Sequence, residues 1–236
     1  MLFRRSVTLG LLLCLAGCGA VAPESAREPG APSQNLRAAL AEGPLTISAS
    51  SEGDCRYASG ADQVVVVRAS GTHATVTACT RTDGGYVASL GPWSGRVGAH
   101  GVAAAGQKRE GDLRTPTGTF PLRSGFGTAP DPGVRIGWFR VGRRDVWVDD
   151  PASRLYNSHR RAPARGRWDS AEKLHVRAYR FAQVIGYNEA AVPGRGSAIF
   201  LHVDTGRATA GCVSLPKAAL VRLLRWEQPG AVIRIS

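Results

Sequence analysis

The sequence predicts a mainly β fold, a β-sandwich or mixed sheet that carries one short helix near its C-terminus. Two observations carry this expectation. From Gln63 onward, short apolar or alternating runs recur between clusters of Gly, Pro and Asp, the pattern of strands joined by turns. The clearest helical spacing comes late, in a stretch with Leu220, Leu223, Leu224 and Trp226. At 43% hydrophobic and 20% charged residues in a 236-residue chain, the composition suits one folded domain with a real core and excludes wholesale disorder.

Met1 to Arg5 is a short basic segment, and Val7 to Leu15 is an apolar stretch too short to span a bilayer, which is the secretory-signal pattern. It closes on Leu15-Ala16-Gly17-Cys18, which resembles a bacterial lipoprotein signal, cut ahead of a cysteine that then carries lipid. The expectation is a signal peptide over 1–17, lipid attachment at Cys18 and export to the outer face of a membrane or the cell wall. Residues 18–60 are rich in Ala, Pro, Glu and Ser and read as a flexible tether, leaving a folded domain over 61–236.

Within that domain Val64 to Val67 reads as a buried strand and His73 to Cys79 alternates, with Ser70-Gly71 as the hairpin turn between them. Further strands are expected at Tyr86 to Leu90, Thr119 to Leu122, Trp138 to Val141, Val146 to Val148, Phe181 to Tyr187 and Ala198 to Val203. A helical stretch is expected around Ser170 to His175. The C-terminal helix is expected to start at Ser214-Leu215-Pro216, with a side-chain cap and an early proline, and to stop at Pro229-Gly230 before a last strand, Ala231 to Ile235.

Thirty Lys and Arg against 18 Asp and Glu give a formal charge of +12. Only Lys108, Lys173 and Lys217 are lysines, and no basic run is dense enough for a nucleic-acid stripe. The predicted partner is an anionic cell wall rather than nucleic acid, with the chain a monomer. Of five cysteines, Cys14 lies in the signal and Cys18 is the lipid candidate. Cys55 and Cys79 flank the first strand pair and are candidates to bridge, closing a loop worth about 3 kcal/mol. Cys212 is then an unpaired thiol in an exported chain, which calls for a chemical reason.

The surroundings of Cys212 supply one. His202 lies in the run Ala198-Ile199-Phe200-Leu201-His202-Val203, and Thr209-Ala210-Gly211-Cys212 follows after a short turn. A thiolate is a nucleophile, and an imidazole beside it can take a proton and return it to a leaving amine. Gly211 lets the backbone turn sharply, so that amides around Gly211 and Cys212 become candidate oxyanion donors, with Thr209 supporting the loop. A helix beginning near Pro216 would favour the thiolate if it pointed at it. His73, His100, His159 and His175 lack metal-ligand spacing, and no metal or cofactor is predicted. Asp149-Asp150 before Pro151 reads as a turn, and Arg160-Arg161 with Arg165 and Arg167 as a basic loop.

Three blocks in order, Gly111-Asp112-Leu113-Arg114-Thr115-Pro116-Thr117-Gly118-Thr119-Phe120, then Gly186-Tyr187-Asn188, then His202 through Cys212, resemble the L,D-transpeptidase catalytic domain of the YkuD type. The resemblance implies a YkuD-like catalytic domain in which Cys212 attacks a peptidoglycan stem peptide and forms a thioester. An amine then resolves it to a cross-link or attachment, without cofactor or metal. It implies Cys212 as nucleophile, His202 as base and acid, and Tyr187 and Asn188 as pocket residues. The chain departs from the family in having Ala210 where many members carry a second histidine, a shorter segment between His202 and Cys212, and Ser214 after the motif. His202 is therefore expected to act alone. Three competing readings remain: an L,D-carboxypeptidase that trims stems, a non-catalytic wall-binding lipoprotein, and a zinc or Cys/His peptidase of another fold.

Overall fold

Four consecutive valines explain how the chain starts to fold. They form the centre of β1 (Gln63–Ser70), and all four are fully buried. Successive side chains on a strand point to opposite faces, so a run of four needs cover on both. Val65 and Val67 enter the main core, while Val64 and Val66 face a smaller cluster with Cys55, Ala58 and Cys79. In the computed structural model, which describes residues 54–236, Cys55 is disulfide-bonded to Cys79. Residues 54–60, expected in the tether, thus include the cover for the outer face of β1. The expected signal peptide, Cys18 and residues 18–53 of the tether lie outside the described residues.

β2 (His73–Thr82) and β3 (Gly85–Arg96) continue antiparallel from β1. Two short strands, β4 (Val102–Ala103) and β5 (Thr115–Pro116), pair in parallel and hold the Gly111 to Pro116 loop. β6 (Gly118–Gly127) and β7 (Trp138–Arg140) come next. β8 (Asp145–Val148), β9 (Ser158–Arg161) and β10 (Ala171–Lys173) make a separate three-stranded sheet. The expected helix around Ser170 to His175 is therefore β10, where Glu172 stands opposite Trp147 of β8. Six residues are too few to separate the two periods, and cross-strand pairing decided between them. The helical turn follows, as a 3-10 segment at Arg177–Arg180. The expected basic loop at Arg160-Arg161 is the end of β9.

β11 (Ala182–Ile185), β12 (Phe200–Val203), β13 (Val213–Leu215), α1 (Lys217–Trp226) and β14 (Val232–Ile235) complete the chain. β12 starts later than the expected Ala198, because Ala198 itself sits at φ 52°. The main sheet is mixed and nine-stranded, in the order β11-β12-β13-β3-β2-β1-β14-β6-β7, and an additional β6–β11 pairing closes it on itself. Ala219, Leu220, Leu223 and Leu224 drive one face of α1 into the main core against Val65, Val67, Leu215 and Ile233. Pro216 occupies the N-cap with no side-chain cap. The expected cap, Ser214, lies instead in β13 and turns its hydroxyl to Asp204.

A second core carries the candidate site. Phe126, Val141, Leu174, Tyr179, Ala182, Ala198, Phe200 and Cys212 pack together, with Phe126, Tyr179 and Phe200 in edge-to-face contact at 5.0–5.6 Å.

Candidate active site

The parallel pairing of β12 with β13 sets Leu201 opposite Val213 and His202 opposite Ser214. Cys212, one residue before Val213, therefore falls beside Phe200, whose N–H donates to the Cys212 sulfur at 3.3 Å. The thiol itself donates to the carbonyl of Ala198 at 3.3 Å. His202 is two residues farther along its strand, roughly 7 Å at ordinary strand rise. Cys212 and His202 line one cavity of about 270 Å³, and among the described residues no hydrogen bond joins them.

The turn ahead of the thiol is built by threonines. Thr209 Oγ1 donates to the Cys212 carbonyl at 2.7 Å and accepts from the Gly211 N–H at 3.1 Å. Thr115 Oγ1 donates to the same carbonyl at 3.1 Å, which ties the Thr115-Pro116 segment to the cysteine turn. Gly211 sits at φ 150°, and a Cβ there would come 3.0 Å from the Arg114 carbonyl. Its N–H, expected as an oxyanion donor, is committed to Thr209. The helix start is also displaced from its expected role: β13 separates Lys217 from Cys212, and a helix dipole acts over about one turn.

Burial first, and the charge of Glu172 second, push the Cys212 thiol up to about 12; the Phe200 N–H, the Tyr179 hydroxyl and Lys108 act the other way. The resting group is a neutral thiol. Burial lowers the pKa of His202 below its ordinary value, against the smaller opposing pulls of the Val203 carbonyl and Asp204. His202 is thus neutral at pH 7. Its Nδ1 lies 2.9 Å from the Val203 carbonyl, a contact that requires Nδ1 to carry the proton and leaves Nε2 a free lone pair.

Other residues in the cavity carry no sequence signal of their own. Tyr179, from the 3-10 turn, donates its hydroxyl to Glu172 of β10, and its ring stands edge-on to His202 at 5.5 Å. Glu172 is raised to about 7, chiefly by burial and then by Asp149 and Glu110, against the hydrogen bond from Tyr179. Glu110 accepts from Tyr156 and, at 2.7 Å, from Ser197. Lys108 is almost wholly buried and donates to Asp112 at 2.6 Å. Burial opposes ionisation of Asp112, but Lys108 and the N–H groups of Arg109 and Arg114 outweigh it and hold the carboxyl below its usual range.

Tyr187 and Asn188 fall elsewhere. Tyr187 donates to the Arg195 carbonyl at 2.6 Å and lines a neighbouring groove of about 370 Å³ with Phe139, Trp147 and His159. Asn188, at φ 51°, spends both amide hydrogens on the Val192 and Gly196 carbonyls and its oxygen on the Val192 N–H. Both of its amide hydrogens are spent within the loop that it builds. Among the described residues, no three His, Cys, Asp or Glu side chains group to hold a metal.

Comparison with known proteins adds the following. The family model YkuD, described as the L,D-transpeptidase catalytic domain, matches residues 62–235. Two crystal structures of the helical cell shape determining protein Pgp2 from Campylobacter jejuni are among those to which this chain shows a likeness. One is 15% identical with a TM-score of 0.36, covering 74% of this chain and 47% of that one. The other, a lysine-to-alanine mutant, is 16% identical with a TM-score of 0.40, covering 79% and 52%. This chain thus spans about half the length of those structures. No curated protein matches it.

Proposed function

This chain belongs to the YkuD family of L,D-transpeptidase catalytic domains, and from that premise we propose that it is an exported cysteine acyltransferase acting on peptidoglycan stem peptides. The observation that supports this most is a single cavity uniting an unpaired buried cysteine with a neutral histidine whose Nε2 is free. Cys212 Sγ attacks the carbonyl after the third residue of a tetrapeptide stem. The C–N bond breaks, D-alanine leaves with a proton, and the stem is held as a thioester. An amine of a neighbouring stem then attacks the thioester while His202 Nε2 takes its proton. The C–S bond breaks and an amide cross-link or attachment forms. Water in place of the amine would give a trimmed stem instead. Lipid on Cys18 anchors the enzyme to the membrane, and residues 18–53 tether it there.

Intact mass after incubation with a carbapenem tests this reading. The expected result is one covalent adduct on the wild type that is absent from Cys212→Ala. A folded wild type with neither an adduct nor any product from purified muropeptides would overturn the enzyme reading in favour of a wall-binding protein. Muropeptide products separate cross-linking, seen as dimers, from trimming, seen as shortened stems alone. Labelling with a fatty acid, lost in Cys18→Ala, tests the anchor.

A further inference from the structure

We infer that the groove beside the thiol cavity is a saccharide site, which takes an amino-sugar unit of the glycan strand that carries the donor stem. The inference rests on the proposed stem-peptide reading and adds which part of the wall the protein holds besides the peptide.

The groove and the thiol cavity share one floor. In the small sheet Glu172 stands opposite Trp147, and Trp147 opposite His159, so the three side chains form a row across one face. Glu172 lines the thiol cavity, Trp147 and His159 line the groove, and Ile199 lines both. Neighbouring strands lie about 4.8 Å apart, which sets the His159 end of the row about 10 Å from Glu172. Three extended residues also span about 10 Å. A stem lying along this row with its third carbonyl at Cys212 therefore brings its first residue, the one joined to the sugar, to the groove.

The lining suits a sugar ring. His159 stacks on Phe139 at 5.0 Å and Phe139 on Phe126 at 5.4 Å, so three rings build one wall outward from the second core. Trp147 is pinned from within, edge-on to Phe200 at 5.1 Å and with Nε1 donating to Asn157 at 2.8 Å. Trp147 and His159 both stay half-buried. Aromatic rings accept the C–H face of a pyranose, whose hydroxyls then need donors and acceptors at the rim. Arg123 supplies them with Glu189, donating to it from Nε at 2.7 Å and Nη2 at 2.9 Å while both side chains remain about half exposed. His159 Nε2 lies 2.9 Å from Asp145, and among the described residues its Nδ1 and the Ser124 hydroxyl have no hydrogen-bond partner. Charge favours a neutral ligand. Arg123 cancels Glu189, and Asp145 faces His159, so the groove has no unpaired charge for a carboxylate or an ammonium. Its volume, about 370 Å³, falls within the range of small-ligand sites.

Two measurements on the full-length protein test the site. In saturation-transfer NMR, N,N′-diacetylchitobiose should bind the wild type, and Arg123→Met and Trp147→Leu should each weaken that binding at least about threefold. In D-alanine release, kcat/KM for a disaccharide-tetrapeptide should exceed that for the bare tetrapeptide by about tenfold, because binding energy from the remote sugar is realised at the reacting carbonyl. In both variants that ratio should fall to within about twofold of one. Arg123→Met, on the exposed rim, carries the comparison wherever near-UV circular dichroism shows Trp147→Leu unfolded. No binding of diacetylchitobiose to the wild type, binding unchanged in the folded variants, or equal kcat/KM for the two substrates overturns the site. Variants that lose both substrates in equal proportion show that the groove holds the peptide instead, and overturn it too. Carbapenem acylation reports separately on Cys212: a protein that takes no adduct yet binds diacetylchitobiose through Arg123 keeps the saccharide site and loses the enzyme reading.

Discussion

At Cys212 the backbone carbonyl is held by two hydroxyls, Thr209 at 2.7 Å and Thr115 at 3.1 Å. Either one suffices to satisfy a buried carbonyl, and losing both leaves it orphaned. Thr115→Val alone should cost about 1 kcal/mol by chemical denaturation, and Thr115→Val with Thr209→Val more than the sum of the singles. Additive losses would show that the hydroxyls act independently. Gly211→Ala should lower stability by about 1–3 kcal/mol and slow carbapenem acylation, since a φ of 150° strains an L side chain and a Cβ 3.0 Å from the Arg114 carbonyl would push that segment aside. The lowered pKa of His202 also has a sign. A step that needs the neutral imidazole survives acidification past 6.5 and is lost only below the depressed pKa. Hydrolysis of a preformed Cys212 thioester, whose nucleophile does not titrate in this range, should therefore keep its rate to below pH 6.5. Much of this residue-level chemistry was legible in the sequence, because His202, Thr209, Gly211 and Cys212 lie within one short turn-linked unit. Tyr179 and Glu172 were not, because their meaning comes from sharing a cavity with a cysteine more than thirty residues away.

Between elements, the junction of α1 with β11 holds a buried acid. Glu227, just past α1, is fully buried, and its Oε2 accepts from Gln183 at 2.5 Å while its Oε1 has no partner. Burial raises its pKa to about 8, against the Gln183 hydrogen bond. The folded chain thus keeps a proton between the ordinary carboxylate pKa and about 8 that the unfolded chain has released. Stability is greatest below the ordinary carboxylate range and falls as pH rises toward 8, by about 1.4 kcal/mol per pH unit. Glu227→Gln should remove that slope, raising stability by about 2–4 kcal/mol at pH 8 and hardly at all at pH 4.5, measured by urea denaturation. An equal gain at both pH values would locate the effect in packing rather than in the proton. The disulfide acts on another junction. It closes a loop with a sequence separation of 24, and Cys55→Ala with Cys79→Ala should cost about 3 kcal/mol. At this scale the sequence located most strands of the main sheet and the C-terminal helix. It missed β4, β5, β9 and β13 and read β10 as helix, because each has four residues or fewer and is too short to show a hydrophobic period.

For the molecule as a whole, the proposed export would remove Arg4 and Arg5 and leave a formal charge of 12 − 2 = +10, carried almost wholly by arginine, and on that ground we propose loose retention on an anionic wall. Such attraction acts across solvent and is screened over about 8 Å at physiological salt. Binding to purified cell-wall sacculi should therefore fall several-fold between about 50 and 500 mM NaCl, whereas carbapenem acylation of Cys212 should be unaffected by salt. Salt-insensitive retention would point to a specific wall-binding contact instead. By itself the sequence determined a mainly β domain with one C-terminal helix, a family, and a Cys212–His202 unit, since each of these is written in local spacing. Tertiary structure alone decided which residues share the cavity with the thiol. The β12–β13 register sets Cys212 beside Phe200 and carries His202 two residues beyond it, while a separate small sheet and a 3-10 turn deliver Glu172 and Tyr179 to the cavity that holds the thiol. Register and sheet closure arise from burying the valines, leucines and aromatics of distant segments against one another, and no window along the chain contains that information.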